Sequence, residues 1–147
     1  MKIYLDNCCL NRPFDDMRDD VVRMEAEAVI AIIDRCESGE WEFCASDILF
    51  DEIDNNPNFD RKQKVFILYQ SAKRYIGLTT EIVSRAKELE QFKLKAYDAL
   101  HLASAEIGKV DVFLTTDRKL INAAERSDIA IKVKNPLIWL TEVLYEN

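Results

Sequence analysis

The sequence predicts an α/β fold, a three-layer α/β/α sandwich around a central, mainly parallel sheet of four to five strands. Short apolar runs of strand length alternate with longer segments of helical period from one end of the chain to the other. Two of the apolar runs end on an acid: 3–5 stops at Asp6, and 110–114 runs through two threonines to Asp117. Three glycines and three prolines in 147 residues leave little material for long loops, so helix should dominate. That length suits one domain over 1–147 with a substantial core.

Taken in order, Ile3, Tyr4 and Leu5 read as a buried central strand. A loop follows over 7–20, with Pro13 barring regular structure at its centre. Asp19 or Asp20 caps a helix over 21–40, whose Val22, Ala26, Val29, Ile30, Ile33 and Cys36 recur at helical spacing until Gly39 closes it. A strand at 41–45 leads to Ser46, an N-cap candidate for a helix that Pro57 breaks. Two helices, 60–75 and 80–92, follow, the second capped by Thr80, with a short strand at 75–78 between them. Beyond Lys95 comes a helix that is apolar nearly all round, then a turn at Gly108-Lys109 and the strand 110–114. A helix over 118–126, a strand at 130–133 and a helix from Pro136 complete the chain.

Hydrophobic residues make up 48% and charged residues 32%, the balance of a soluble globular protein. No apolar run approaches the roughly 20 residues that span a bilayer, and the N-terminus lacks the apolar core of a signal peptide. The expectation is a cytoplasmic protein without a membrane partner. Cys8, Cys9, Cys36 and Cys44 form no CxxC pair and have no histidine at zinc-finger spacing, so buried reduced thiols are expected. The net charge of -7 is uneven. Residues 61–95 hold nine basic against three acidic side chains, the rest eleven against twenty-four. This basic middle is either a phosphate-tracking surface or a solvated helical face.

Asp98 falls in the first turn of the buried helix, where the macrodipole favours an acid and Lys95 is within reach; Asp117 has the position of an N-cap. Either could be a capping residue only. Against that stands topology, because in a parallel sheet sites form beyond the carboxyl ends of strands, where both Asp6 and Asp117 lie. Glu52, in the helix opened by Ser46, approaches the same edge and lies nearer the apolar side than Asp47, Asp51 or Asp54.

The runs IYLDNCCL, SDILFDEI, YDALHLASA and VFLTTDRKL resemble, in order and spacing, those of PIN-domain nucleases, which include the toxins of VapBC-type toxin-antitoxin pairs. The resemblance covers nearly the whole chain. It implies a pocket of four acids, Asp6, Glu52, Asp98 and Asp117, that holds one or two Mg²⁺ or Mn²⁺ ions and hydrolyses RNA to 5'-phosphate and 3'-hydroxyl ends. Thr115 would be the hydroxyl that braces the site. Asn7 stands where that family usually has Ser or Thr, a change that bears on substrate positioning more than on metal binding. The resemblance also implies a cognate antitoxin that covers the groove; a homodimer is expected as well, with helices 60–92 available as dimer or partner surface. The chemistry is consistent, since four converging carboxylates repel one another and a hard divalent cation with oxygen ligands removes that penalty.

Asn11 and Arg12 lie in the loop after the first strand, and the planar fork of Arg12 suits a phosphate, or else an ion pair with Asp15 or Asp16. His101, three residues after Asp98, reads as a packed, hydrogen-bonded histidine rather than a general base. Tyr4, Trp41, Tyr97 and Trp139 read as core or interface aromatics, and only Tyr97 is placed to stack on a base beside the acids. The competing function is a catalytically silent PIN-like module that acts by binding protein or nucleic acid. A phosphoacceptor receiver domain is disfavoured, because the acid pair after strand one and the Lys-Pro step it needs are absent.

Overall fold

The computed structural model describes residues 1–146. Five strands, β1 (Lys2–Leu5), β2 (Glu42–Ser46), β3 (Arg74–Ile76), β4 (Val112–Leu114) and β5 (Lys132–Lys134), form one sheet in the order β3-β2-β1-β4-β5. Every pairing is parallel. β1 and β4 are the apolar centre, Ile3, Tyr4, Leu5, Phe113 and Leu114 having no exposed surface, whereas the edge strands β3 and β5 are exposed or half-buried throughout. A fully covered centre with polar edges is what helices on both faces produce.

The helices are α1 (Asn7–Asn11), α2 (Asp20–Glu37), α3 (Asp47–Asp54), α4 (Phe59–Tyr69), α5 (Thr80–Leu89), α6 (Ala96–Ile107), α7 (Arg118–Glu125) and α8 (Pro136–Glu146). α8 packs on α2, and α5 on α6; with the right-handed crossovers that are the rule for parallel strands, this strand order puts the two pairs on opposite faces. From β1 the chain steps outward through β2 to β3, then crosses back to β4 on the far side of β1. The order of strands therefore reverses between β1 and β4, and a crevice opens beyond their carboxyl ends.

Several boundaries differ from expectation for identifiable reasons. The segment after Asp6 is not a loop: Asp6 caps α1, whose Cys9 and Leu10 are buried, and a 3-10 turn (Arg12–Phe14) follows. Pro13 lies in the first turn of that element, where its missing N–H costs nothing. The strands predicted at 41, 110 and 130 begin one or two residues later. Trp41 N–H turns back to Arg35 O, Val110 N–H to Ala105 O, and Ala130 N–H to Glu106 Oε2, so none is free for the ladder. The helix expected over 60–75 stops at Tyr69, because Ser71 and Ala72 make tight turns onto Leu68 and Tyr69 before Lys73 joins Phe43. Thr79, rather than Thr80, caps α5 through Ile82 N–H.

Candidate active site

Asp6 extends the central pairing by one step, its N–H donating to Leu114 O at 2.9 Å. Successive strand side chains alternate, so Asp6 lies on the same side as Tyr4, the side on which α6 packs. Its Oδ1 accepts from Asn7 N–H at 2.8 Å and its Oδ2 from the Thr115 hydroxyl at 2.7 Å. Thr115, fully buried just after β4, also accepts the N–H of Asp117 at 3.1 Å. One hydroxyl thus ties together the acids that end the two central strands. Asp117 caps α7, accepting the N–H groups of Lys119 and Leu120 through Oδ1.

Asp98 is the third residue of α6, and its carboxylate makes no hydrogen bond among the described residues. No ion pair joins it to Lys95, whose side chain provides no cap, so the helix-start explanation of this acid accounts only for its place near the dipole. Glu52, sixth in α3, is half-buried and receives the ring Nε2 of His101 at 2.9 Å on Oε1. His101 is 1% exposed and its Nδ1 lies 2.7 Å from the Tyr4 hydroxyl, which in turn meets Ser46 Oγ at 2.5 Å.

Asp6, Glu52, Asp98 and Asp117 line one cleft of about 420 Å³, graded from buried Asp6 at its floor to exposed Asp117 at its rim. Burial and the charges of Asp6 and Asp117 push the Asp98 carboxyl up to about 6. Burial alone would lower the pKa of His101, but the Glu52 hydrogen bond and the nearby acids outweigh it and hold the ring above its ordinary value. The donor atoms of Asp6, Glu52 and His101 lie within 4.8 Å of one another. A site rich in carboxylate oxygens, one of them already burdened by its neighbours' charge, fits a hard divalent cation.

Asn7 and Asn11 also line the cleft and are bound to each other, Asn11 Nδ2 donating to Asn7 O and Oδ1. Arg12 reaches the cleft but is engaged: it pairs with Asp15 at 3.1 Å, and its Nε lies 3.1 Å from Glu25 without hydrogen-bond alignment. The ion-pair reading of Arg12 therefore describes this structure, with Asp15; Asp16 pairs with Arg18 instead. Thr115 does not line the cleft and acts from beneath Asp6.

Three neighbours escape sequence reasoning. Cys8, half-buried at the cleft wall, lies 3.5 Å from Asp6 Oδ2 and 3.3 Å from Thr115 Oγ1; its place two residues after Asp6 was the available signal. Asn56 lines the cleft from the end of α3. Arg61 binds Asn11, Phe14 O and Asp15, a link across some fifty residues for which no local pattern exists.

A family model described as PIN domain matches residues 3–126. The chain belongs to the PIN-domain family. No curated protein matches it. Among solved structures, the PIN domain here is similar to a toxin-antitoxin complex from Klebsiella pneumoniae, at 21% identity and TM-score 0.62, over 91% of this chain and 97% of that one. It is also similar to VapBC2 from Rickettsia felis bound to a DNA fragment from their promoter, at 15% identity and TM-score 0.58, over 92% and 98%. PAE2754 from Pyrobaculum aerophilum matches at 15% identity and TM-score 0.59, over 99% and 96%. At these identities the likeness is one of fold.

Proposed function

We propose that this PIN domain is a metal-dependent endoribonuclease, the toxin of a toxin-antitoxin pair, working in the cytoplasm as one domain over 1–147. The observation that carries the reading is the meeting of Asp6, Glu52, Asp98 and Asp117 in one cleft at the sheet's reversal point. They would hold Mg²⁺ or Mn²⁺, which when bound lowers the pKa of a coordinated water and stabilises charge on phosphate oxygens. Thr115 fixes the orientation of Asp6, and Asn11, itself bound to Arg61, orients the Asn7 amide so that its N–H₂ group can meet a phosphate or ribose at the cleft wall. Arg12, held by Asp15 and Glu25, shapes the wall rather than grips the substrate.

RNA as substrate, an antitoxin partner and a homodimer remain part of this reading. Family membership and the toxin-antitoxin chains that share the fold support it. The acidic charge of -7 argues against strong non-specific binding to long duplexes and favours a short or structurally defined target. No helix among the described residues is long and apolar enough to cross a membrane.

The test is cleavage of a mixed RNA pool by purified protein with Mn²⁺, Mg²⁺ or EDTA, beside Asp98→Asn. Metal-dependent cuts that vanish in the mutant are the expected outcome. Wild type and mutant that are equally inert, and equally blind to metal in a binding titration, would hand the chain to the silent-module reading.

A further inference from the structure

The buried hydrogen bonds behind Glu52 form a closed chain. Leu49 N–H donates to Ser46 Oγ at 3.1 Å, Ser46 Oγ meets the Tyr4 hydroxyl at 2.5 Å, Tyr4 meets His101 Nδ1 at 2.7 Å, and His101 Nε2 meets Glu52 Oε1 at 2.9 Å. An ionised carboxylate only accepts, so Nε2 carries the hydrogen shared with Glu52. In a neutral ring Nδ1 accepts from Tyr4 O–H and Tyr4 from Ser46 O–H; in a charged ring Nδ1 donates to Tyr4, which donates to Ser46. In either state the links run unbroken from the backbone of α3 to the carboxylate on the same helix.

Ser46 and Tyr4 are 0% exposed and His101 is 1% exposed, while the Glu52 side chain they lead to is 37% exposed. Apolar side chains of similar shape could fill these core positions at little cost in stability, so the buried polar chain calls for another explanation. Of the two carboxylate oxygens, Oε1 is occupied by His101, and Oε2 has no hydrogen-bond partner among the described residues. A side chain of this exposure would otherwise sample several rotamers.

We propose that Ser46, Tyr4 and His101 are positioning residues that lock Glu52 so that its free oxygen faces the acidic cleft ready for the cation. The inference rests on the metal-site reading given above. It adds the anchor that makes Glu52, rather than Asp47, Asp51 or Asp54, the acid α3 contributes. Asp47 and Asp51 are taken by other partners, the hydroxyls of Tyr75 and Tyr97 respectively, and Asp54 pairs with Lys62.

Tyr4→Phe removes one hydroxyl from the chain and keeps the ring that stacks on Phe113. Calorimetric Mn²⁺ titration of the metal-free protein should find binding weakened about tenfold or more, the scale of losses when groups behind a ligand are removed. In a Glu52→Ala background the same substitution should change affinity by less than about twofold, because the group it positions is gone. His101 is the only histidine in the chain, so its ring Nε2–H proton can be followed by NMR without assignment ambiguity. That proton should exchange slowly in metal-free wild type and rapidly in Tyr4→Phe. Wild-type affinity in Tyr4→Phe, or an equal loss in both backgrounds, overturns the proposal. If Tyr4→Phe does not fold, His101→Gln, which retains a donor toward Glu52, is compared with His101→Leu; equal Mn²⁺ affinity in these two overturns it likewise. Wild type that takes up no Mn²⁺ overturns the metal reading itself, a result distinct from either.

Discussion

At the scale of single residues, Asp98 bears most of the cost of a site made from acids. It is half-buried, unbonded and faced by Asp6 and Asp117, and its carboxyl is pushed up to about 6 from an ordinary 3.8. Its proton is thus held more tightly in the folded chain than in the unfolded one. The resulting stability is complete below pH of about 4 and is lost as pH rises through about 6. Without metal, therefore, wild type should lose thermal stability across that window, and Asp98→Asn should not, melting about 2–4 °C higher than wild type at pH 7. Parallel melting curves for the two proteins from pH 4 to 7 in EDTA would refute this account of Asp98. Asp117 differs because one of its oxygens already caps α7. Asp117→Asn should keep the cap and fold normally while losing metal, whereas Asp117→Ala should cost about 1 kcal/mol as well. Urea denaturation of the pair separates the two roles of this side chain.

At the scale of elements, what could be read from the sequence depended on whether local pattern or distant pairing decides a boundary. The central strands β1 and β4 were visible because each is an apolar run stopped by an acid or a threonine. β3 was harder to place, since an edge strand with two exposed residues carries little apolar signal. The late starts of β2, β4 and β5 depend on where single N–H groups turn, which periodicity does not encode. α1 carries no legible signal, because its five residues are too few for a helical pattern and its cap, Asp6, also reads as the end of a strand. The same division holds at the site. Asp6 and Asp117 follow from strand ends and Asp98 from an acid in an apolar helix. Glu52 stood out weakly among four acids on α3, and its distinction comes from His101, forty-nine residues away.

For the whole molecule, the four acids come from four separate strand-to-strand connections, so ion binding should stiffen the sheet edge as a unit. Saturating Mn²⁺ should raise the melting temperature by several degrees, an effect set by the ratio of free ion to dissociation constant, and Asp98→Asn should abolish it. Identical melting with Mn²⁺ and with EDTA would contradict a site that binds only the folded chain. The order of strands has a further consequence, in time. β1 is made first, yet its neighbour β4, with the Thr115 and Asp117 that complete the cleft, is made more than a hundred residues later. At roughly 5–20 residues per second, a growing chain spends several seconds holding Asp6 and Glu52 without Asp98 or Asp117. On the functional reading proposed here, a growing chain cannot cut RNA before β4 has been made, and its nuclease activity begins only when β4 slots in beside β1.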